Sequence, residues 1–242
     1  MKKVTAILAV AMLMMAAGSA MADFLDPSLT RPVTINAAFP GENSLQTELN
    51  TIFGTGVVNA ATDQLKVGMF QISNPGSSSI NPQFKFEWTS GASTQTIGIF
   101  GWSGTSAVTA QIFAGVQEKG AFATVAWSDI DSGMITSFDS AIDITPTFLA
   151  FDGINRDFFG FYFQTGSTKF YTVDSLNPGG TARVLGFQPN LSGAAFSYED
   201  GSDFDYQDAG FFVESIKPVS EPLTLILLGS GLLGLAAIRR RK

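Results

Sequence analysis

Five carboxylates stand within ten residues near the C-terminal end of the chain. They are Glu199, Asp200, Asp203, Asp205 and Asp208. Two like charges 4 Å apart repel by about 4 kcal/mol at an effective dielectric constant near 20, so these side chains should either spread into water or gather around a hard cation. Ca²⁺ takes six to eight oxygen ligands and suits carboxylates in a flexible loop. We therefore predict that all five bind Ca²⁺; a solvated acidic loop and a catalytic carboxylate pair are the alternatives.

The residue types that the chain lacks exclude several chemistries. It contains no histidine and no cysteine, which excludes Ser-His-Asp and Cys-His nucleophiles, His-liganded zinc or haem and disulfides. Oxygen-ligated metals and glycosidase-type carboxylate pairs remain. We expect a non-enzymatic protein. The alternative is a polysaccharide hydrolase or lyase, which should show a groove lined with Trp or Tyr around two carboxylates some 5–10 Å apart.

The charge distribution along the chain is uneven. Residues 23–221 carry 8 Lys and Arg against 21 Asp and Glu, a net charge of −13, whereas six further positive charges lie in the two end segments. A domain this acidic does not attract nucleic acid or anionic lipid through its overall field. We therefore expect no nucleic-acid partner and a preference for cations.

The N-terminal segment has the three parts of a secretory signal peptide. Lys2 and Lys3 form a basic region, residues 4–15 are apolar, and Ala20 and Ala22 are the small residues before a cleavage site. We predict a signal peptide at residues 1–22, handled by signal peptidase and the secretion machinery.

The C-terminal segment also has three parts. Ser220-Glu221-Pro222 is followed by an uncharged apolar run at residues 223–238 and a basic end, Arg239, Arg240, Arg241 and Lys242. As a helix, the sixteen apolar residues would extend roughly 24 Å, close to the ~30 Å hydrocarbon core of a bilayer. We predict a transmembrane helix whose basic end stays in the cytoplasm.

This tail, residues 220–242, resembles the PEP-CTERM sorting signal of Gram-negative bacteria. Glu221-Pro222, the Leu- and Gly-rich run and the basic end fit the signal, and Ser220 stands where the family has its first Pro. The resemblance implies that exosortase recognises the tail and that the protein is exported, passing through an inner-membrane intermediate to the cell surface or the medium.

The acidic segment carries a second resemblance. Asp203, Asp205, Tyr206 and Asp208 match the motif Asp-x-Asp-Tyr-Asn-Asp of an uncharacterised domain family common in bacterial surface proteins, with Gln207 in place of Asn. The resemblance covers about twenty residues. It implies a β-rich, calcium-binding extracellular module.

The central part of the chain has the composition of a β protein. It is rich in Phe, Thr, Val and Ser, which favour strands, and short strand-like runs alternate with turn residues such as Asn81-Pro82 and Gly166-Ser167. We predict an all-β fold, a single jelly-roll-like β-sandwich at residues 23–219, with a barrel as the alternative. One short helix is expected at residues 44–53 with Ser44 as its N-cap, and residues 217–221 are expected to form a tether. Strands are expected at residues 68–73, 83–89, 96–101, 107–113, 121–128, 148–151, 158–165, 168–174, 182–187, 194–198 and 209–216.

Together these features predict an exported protein of the cell surface or extracellular matrix. Its expected role is that of a Ca²⁺-stabilised structural or matrix-binding module, with exopolysaccharide as a candidate partner.

Overall fold

A computed structural model describes residues 29–74, 77–87, 95–103, 106–114, 120–138, 145–190 and 193–219. The predicted signal peptide and sorting tail lie outside the described residues. Among the residues that are described, no helix is long and apolar enough to span a membrane.

Strands dominate the described part of the chain. It contains one α-helix, α1 (Leu45–Phe53), and two short 3-10 helices (Asp174–Leu176 and Pro178–Gly180). The strands are β1 (Phe70–Ile72), β2 (Ser79–Glu87), β3 (Gln95–Ser103), β4 (Ser106–Ala114), β5 (Phe122–Trp127), β6 (Gly133–Phe138), β7 (Thr147–Phe151), β8 (Gly160–Thr165), β9 (Thr168–Tyr171), β10 (Val184–Asn190), β11 (Gly193–Tyr198), β12 (Ala209–Glu214) and β13 (Ile216–Pro218).

The strands form three antiparallel sheets. The largest has the order β10-β11-β12-β2-β5-β6-β7, the second has the order β4-β3-β8-β9, and β1 pairs with β13. The prediction of an all-β fold is thus confirmed at the level of class: the structure is mostly β, with several antiparallel sheets.

The main core lies between the two larger sheets and is rich in aromatic rings. Phe161 of β8 lies with its ring centroid 4.7 Å from that of Phe196 on β11 and 5.1 Å from that of Phe211 on β12. Phe163 stacks on Tyr198 with centroids 4.5 Å apart. All five side chains are buried, so alternate positions on facing strands bury their apolar area together.

Helix α1 begins as its sequence predicts. The Ser44 hydroxyl accepts a hydrogen bond from the Thr47 backbone N–H at 3.3 Å, which satisfies one of the free donors of the first turn. Leu45 and Leu49, four residues apart on one face, are buried in a second cluster that also contains Phe187 and Tyr206. This helix therefore packs beside the acidic segment.

Two local predictions are confirmed, two are wrong, and one strand was missed. Gly166-Ser167 joins β8 to β9 as a two-residue hairpin turn, and Ser44 caps α1. Asn81-Pro82 is not a turn, because Pro82 lies inside β2 opposite Val213. Strand β6 was not predicted, and residues 217–218 belong to β13, paired with β1, instead of forming a loose tether.

Candidate functional site

The acidic segment connects two paired strands. Tyr198, the last residue of β11, is the register partner of Ala209, the first residue of β12. Residues 199–208 therefore leave the sheet and return to it at one point, which keeps their five carboxylates in a single loop at that end of the sheet.

Two aromatic residues anchor the loop. Phe204 and Tyr206 both have φ near +57°, a left-handed conformation that is unfavourable for bulky side chains. The Tyr206 ring is buried beside α1, and its hydroxyl donates to the Ala182 carbonyl at 3.1 Å. The Phe204 carbonyl accepts a hydrogen bond from the Asn36 backbone N–H at 2.9 Å. These contacts hold the segment in one conformation.

Three of the five predicted ligands converge. One carboxylate oxygen each from Glu199, Asp203 and Asp205 lies within 4.8 Å of the others. Glu199 is 0 % exposed and Asp205 is 3 % exposed, whereas Asp203 faces solvent. A fully solvated acidic loop would leave all three side chains in water. This arrangement instead resembles carboxylates that gather around a cation.

The buried carboxylates accept hydrogen bonds from neutral donors of the same loop. Glu199 accepts from the backbone N–H of Gly201 at 2.8 Å and of Tyr206 at 3.3 Å. Asp205 accepts from the backbone N–H and the side-chain amide of Gln207, at 3.3 and 3.1 Å. Neither ion pair between described residues, Arg31–Asp174 or Arg156–Asp157, includes a carboxylate of this group.

Asp200 and Asp208 lie beside the convergent group and contact each other. The Asp208 carboxylate accepts a hydrogen bond from the Asp200 backbone N–H at 2.6 Å. The Asp200 carboxylate accepts one from the Gln95 side-chain amide on β3 at 3.2 Å. Asp208 therefore joins the two ends of the loop, and Asp200 connects the loop to β3.

Burial and mutual repulsion shift the acidity of this segment. Burial raises the pKa of Glu199 to about 7, and the charges of Asp203 and Asp205 add to the shift. Burial also raises the pKa of Asp208 to about 8, with contributions from Asp200 and Glu199. The pKa of Asp205 is raised as well, chiefly by burial. A bound cation would favour the charged forms that this environment disfavours.

A cleft of about 470 Å³ lies elsewhere, between the outer face of the four-stranded sheet and β7. Leu149, Ala150 and Phe151 line it on the β7 side. Its other lining residues in the described chain are polar, aromatic or small: Thr96, Thr109, Ala110, Gln111, Asp152, Tyr162, Gln164 and Lys169.

One wall of the cleft depends on a glycine. A Cβ atom on Gly98 would lie 2.4 Å from Cε1 of Tyr162, so the absence of a side chain lets the ring lie across β3. The Lys169 ammonium lies 4.9 Å from the centroid of that ring and donates to the Thr109 hydroxyl at 2.8 Å. This cleft could not be predicted from the sequence, because its lining comes from five strands and forms no local motif.

The chain matches no protein-family model, and a search of curated proteins finds no match. Its function is therefore inferred from its own residues.

Proposed function

We propose that this chain is an exported, non-enzymatic surface protein whose domain is a Ca²⁺-stabilised structural or matrix-binding module. Exosortase sorts it through the tail at residues 220–242, and signal peptidase removes residues 1–22. Its domain is a single jelly-roll-like β-sandwich at residues 23–219.

The two ends of the chain support export. A basic, apolar and small-residue pattern at the N-terminus and a polar, apolar and basic pattern at the C-terminus occur together in one sequence. Each pattern alone suits a membrane segment, and the pair suits a protein that crosses the inner membrane and is held there before release to the surface.

The sandwich assignment is supported by the ring contacts between the two larger sheets. Phe161 and Phe163 of the four-stranded sheet meet Phe196, Tyr198 and Phe211 of the seven-stranded sheet. Face-to-face burial of this kind is how two antiparallel sheets share one core.

The convergence of Glu199, Asp203 and Asp205 carries the calcium proposal. Three carboxylates, each with one oxygen within 4.8 Å of the others and two of them buried, form no ion pair with a described residue. The Arg183 guanidinium contacts the same loop, but it donates to the Gly201 carbonyl and not to a carboxylate. One oxygen from each can supply three ligands of a Ca²⁺ coordination sphere, and water can complete it on the exposed Asp203 side.

Thermal unfolding of the 23–219 domain tests this proposal, first with excess EDTA and then with millimolar Ca²⁺. At a Ca²⁺ concentration about 100 times Kd, binding to the folded state adds about 2.7 kcal/mol. For a domain of this size we expect the midpoint to rise by about 5–10 °C.

The matched variants are Asp203→Asn/Asp205→Asn and, as a control, Asp131→Asn, which changes an exposed carboxylate in another loop. The double variant should lose the Ca²⁺-dependent rise, whereas the control should keep it. An unchanged midpoint in the unmodified domain would contradict the calcium site and leave the segment as acidic surface.

The enzyme alternative requires two carboxylates in an aromatic groove. The described lining of the cleft contains Tyr162 and one carboxylate, that of Asp152. No specific observation favours a hydrolase or lyase over a binding module.

A further inference from the structure

We infer that the cleft between β7 and the outer face of the β4-β3-β8-β9 sheet binds a neutral oligosaccharide. This inference rests on the proposed matrix-binding function and adds to it a site and a class of ligand. The cleft is separate from the acidic segment in the chain and in its lining residues.

The volume of the cleft, and the strands that carry its lining residues, suit a small ligand. Its volume of about 470 Å³ lies within the range of roughly 300–1,000 Å³ that is usual for ligand sites. Most of its lining residues lie on strands, including Thr96 on β3, Gln111 on β4 and Gln164 on β8. A site carried by paired strands is more precisely positioned than one carried by loops.

The polar groups of the cleft match a ligand that both donates and accepts hydrogen bonds. Thr96 and Thr109 contribute hydroxyls, and Gln111 and Gln164 contribute amides. Each of these groups can donate and accept, which is also the property of sugar hydroxyls. Thr109 already accepts from Lys169, and Gln164 already donates to the Gly166 carbonyl. A ligand made only of hydrocarbon would cover Thr96 and Gln111 without offering them a hydrogen bond, at a cost in binding free energy.

The charges of the cleft favour a neutral ligand. Lys169 and Asp152 are the cation and the anion of its described lining, so their charges cancel. The Lys169 ammonium already donates to Thr109 and lies over the Tyr162 ring. An anionic chain would also approach a domain whose net charge is −13, and the field of that domain would repel it.

An apolar strip lies beside the polar groups. Leu149, Ala150 and Phe151 line the β7 side of the cleft, and Leu149 is 41 % exposed. A pyranose ring has apolar C–H faces and hydroxyl-bearing edges. One C–H face can pack against Leu149 while the ring edge reaches Gln111 and Thr96 across the cleft.

The test measures binding of defined tetrasaccharides to the full chain in C12E8 micelles, a detergent without a sugar head group. The neutral probes are cellotetraose, maltotetraose, mannotetraose and xylotetraose, and the anionic probe is tetragalacturonate. Isothermal titration calorimetry gives each Kd. We expect at least one neutral probe to bind and tetragalacturonate to bind at least about tenfold more weakly.

The matched variants are Thr96→Val/Gln111→Ala inside the cleft and Thr168→Val/Gln71→Ala outside it. The first should weaken binding of the neutral probe at least about tenfold, and the second should leave Kd within about twofold. If the first variant does not fold, Asp152→Asn changes the charge of the cleft at nearly constant shape and should alter the same Kd.

Three results would overturn the inference: no binding of any probe, preferential binding of tetragalacturonate, or neutral binding that none of the cleft substitutions changes. None of these results would contradict the proposed Ca²⁺ site, which has a separate test. The Ca²⁺-dependent midpoint of thermal unfolding depends on Asp203 and Asp205 and not on the cleft.

Discussion

At the scale of single residues, the unusual feature is a pair of buried carboxylates in a loop. Glu199 and Asp205 are almost fully buried beside exposed Asp203. Burial disfavours the charged form of a carboxyl group, and neighbouring negative charge disfavours it further. Without a cation the segment therefore holds protons that its unfolded form would release, which makes its stability depend on pH.

We predict that, in EDTA, the free energy of unfolding decreases as pH rises from about 5 to 9. The folded pKa values of Glu199 and Asp208 are raised to about 7 and about 8, from 4.5 and 3.8. The folded state thus binds more protons than the unfolded state in this window, and raising the pH favours unfolding. Each retained proton contributes at most about 1.4 kcal/mol per pH unit. Urea unfolding at a series of pH values measures the slope.

Glu199→Gln is the matched variant for this pH dependence, because it keeps the shape of the side chain and removes its ionisation. We expect a shallower slope in the variant, and a shallower slope in the unmodified protein when Ca²⁺ is present. A free energy that rises over this pH range in EDTA would contradict the assigned pKa directions.

At the scale of elements, aromatic contacts join the two larger sheets. Phe161 on β8 contacts the rings of Phe70, Phe159, Phe196 and Phe211 and is 0 % exposed. Those rings come from β1, the segment before β8, β11 and β12. One side chain therefore joins elements from all three sheets.

We predict that Phe161→Ala lowers the free energy of unfolding by about 3–5 kcal/mol, because it removes buried area and leaves a cavity. Phe148→Ala on β7 is the control, since this ring is 63 % exposed, and it should change stability by about 0.5 kcal/mol or less. Chemical denaturation of both variants measures the difference. Equal losses in the two would contradict the core described here.

The elements that could be predicted from sequence are those with local signals. Ser44 caps α1 through Thr47, and Gly166 takes the positive φ of the β8–β9 turn. Strand β6 was missed because Gly133–Phe138 is short and its apolar and polar residues do not alternate strictly. Pairing with β5 and β7 completes it. Pro82 was misassigned because proline is rare inside sheets, yet β2 holds it between β12 and β5.

The candidate site could be predicted only in part for a similar reason. The sequence places five carboxylates in one loop, but their convergence depends on left-handed Phe204 and Tyr206, which local preference disfavours by roughly 1–2 kcal/mol each. Contacts with Asn36 and Ala182, distant in sequence, hold these conformations. The cleft is less predictable still, because its lining extends from Thr96 to Lys169.

At the scale of the whole molecule, the end of the domain is held firmly in a sheet. Lys217 and Pro218 pair with β1, and the Val219 backbone N–H donates to the Met69 carbonyl at 3.0 Å. Three residues then separate Val219 from the apolar run that begins at Leu223. Fully extended, the four Cα–Cα steps from Val219 to Leu223 reach at most about 14 Å, and ~5–8 Å of this crosses the head groups on one side of a bilayer. In the proposed membrane-held form the domain therefore stands against the membrane surface.

We predict that a six-residue Gly-Ser insert between Val219 and Ser220 speeds processing by exosortase, because it moves the folded domain away from the cleavage motif. Pulse-chase labelling in a Gram-negative host that carries exosortase measures conversion of the precursor. The same insert at the exposed Gly166-Ser167 turn is the length control and should leave the rate unchanged. Replacing Arg239, Arg240 and Arg241 by Ala should block processing with or without the insert. Equal rates for the unmodified protein and the Val219 insertion would show that access to the motif is not limited by the paired end of the domain.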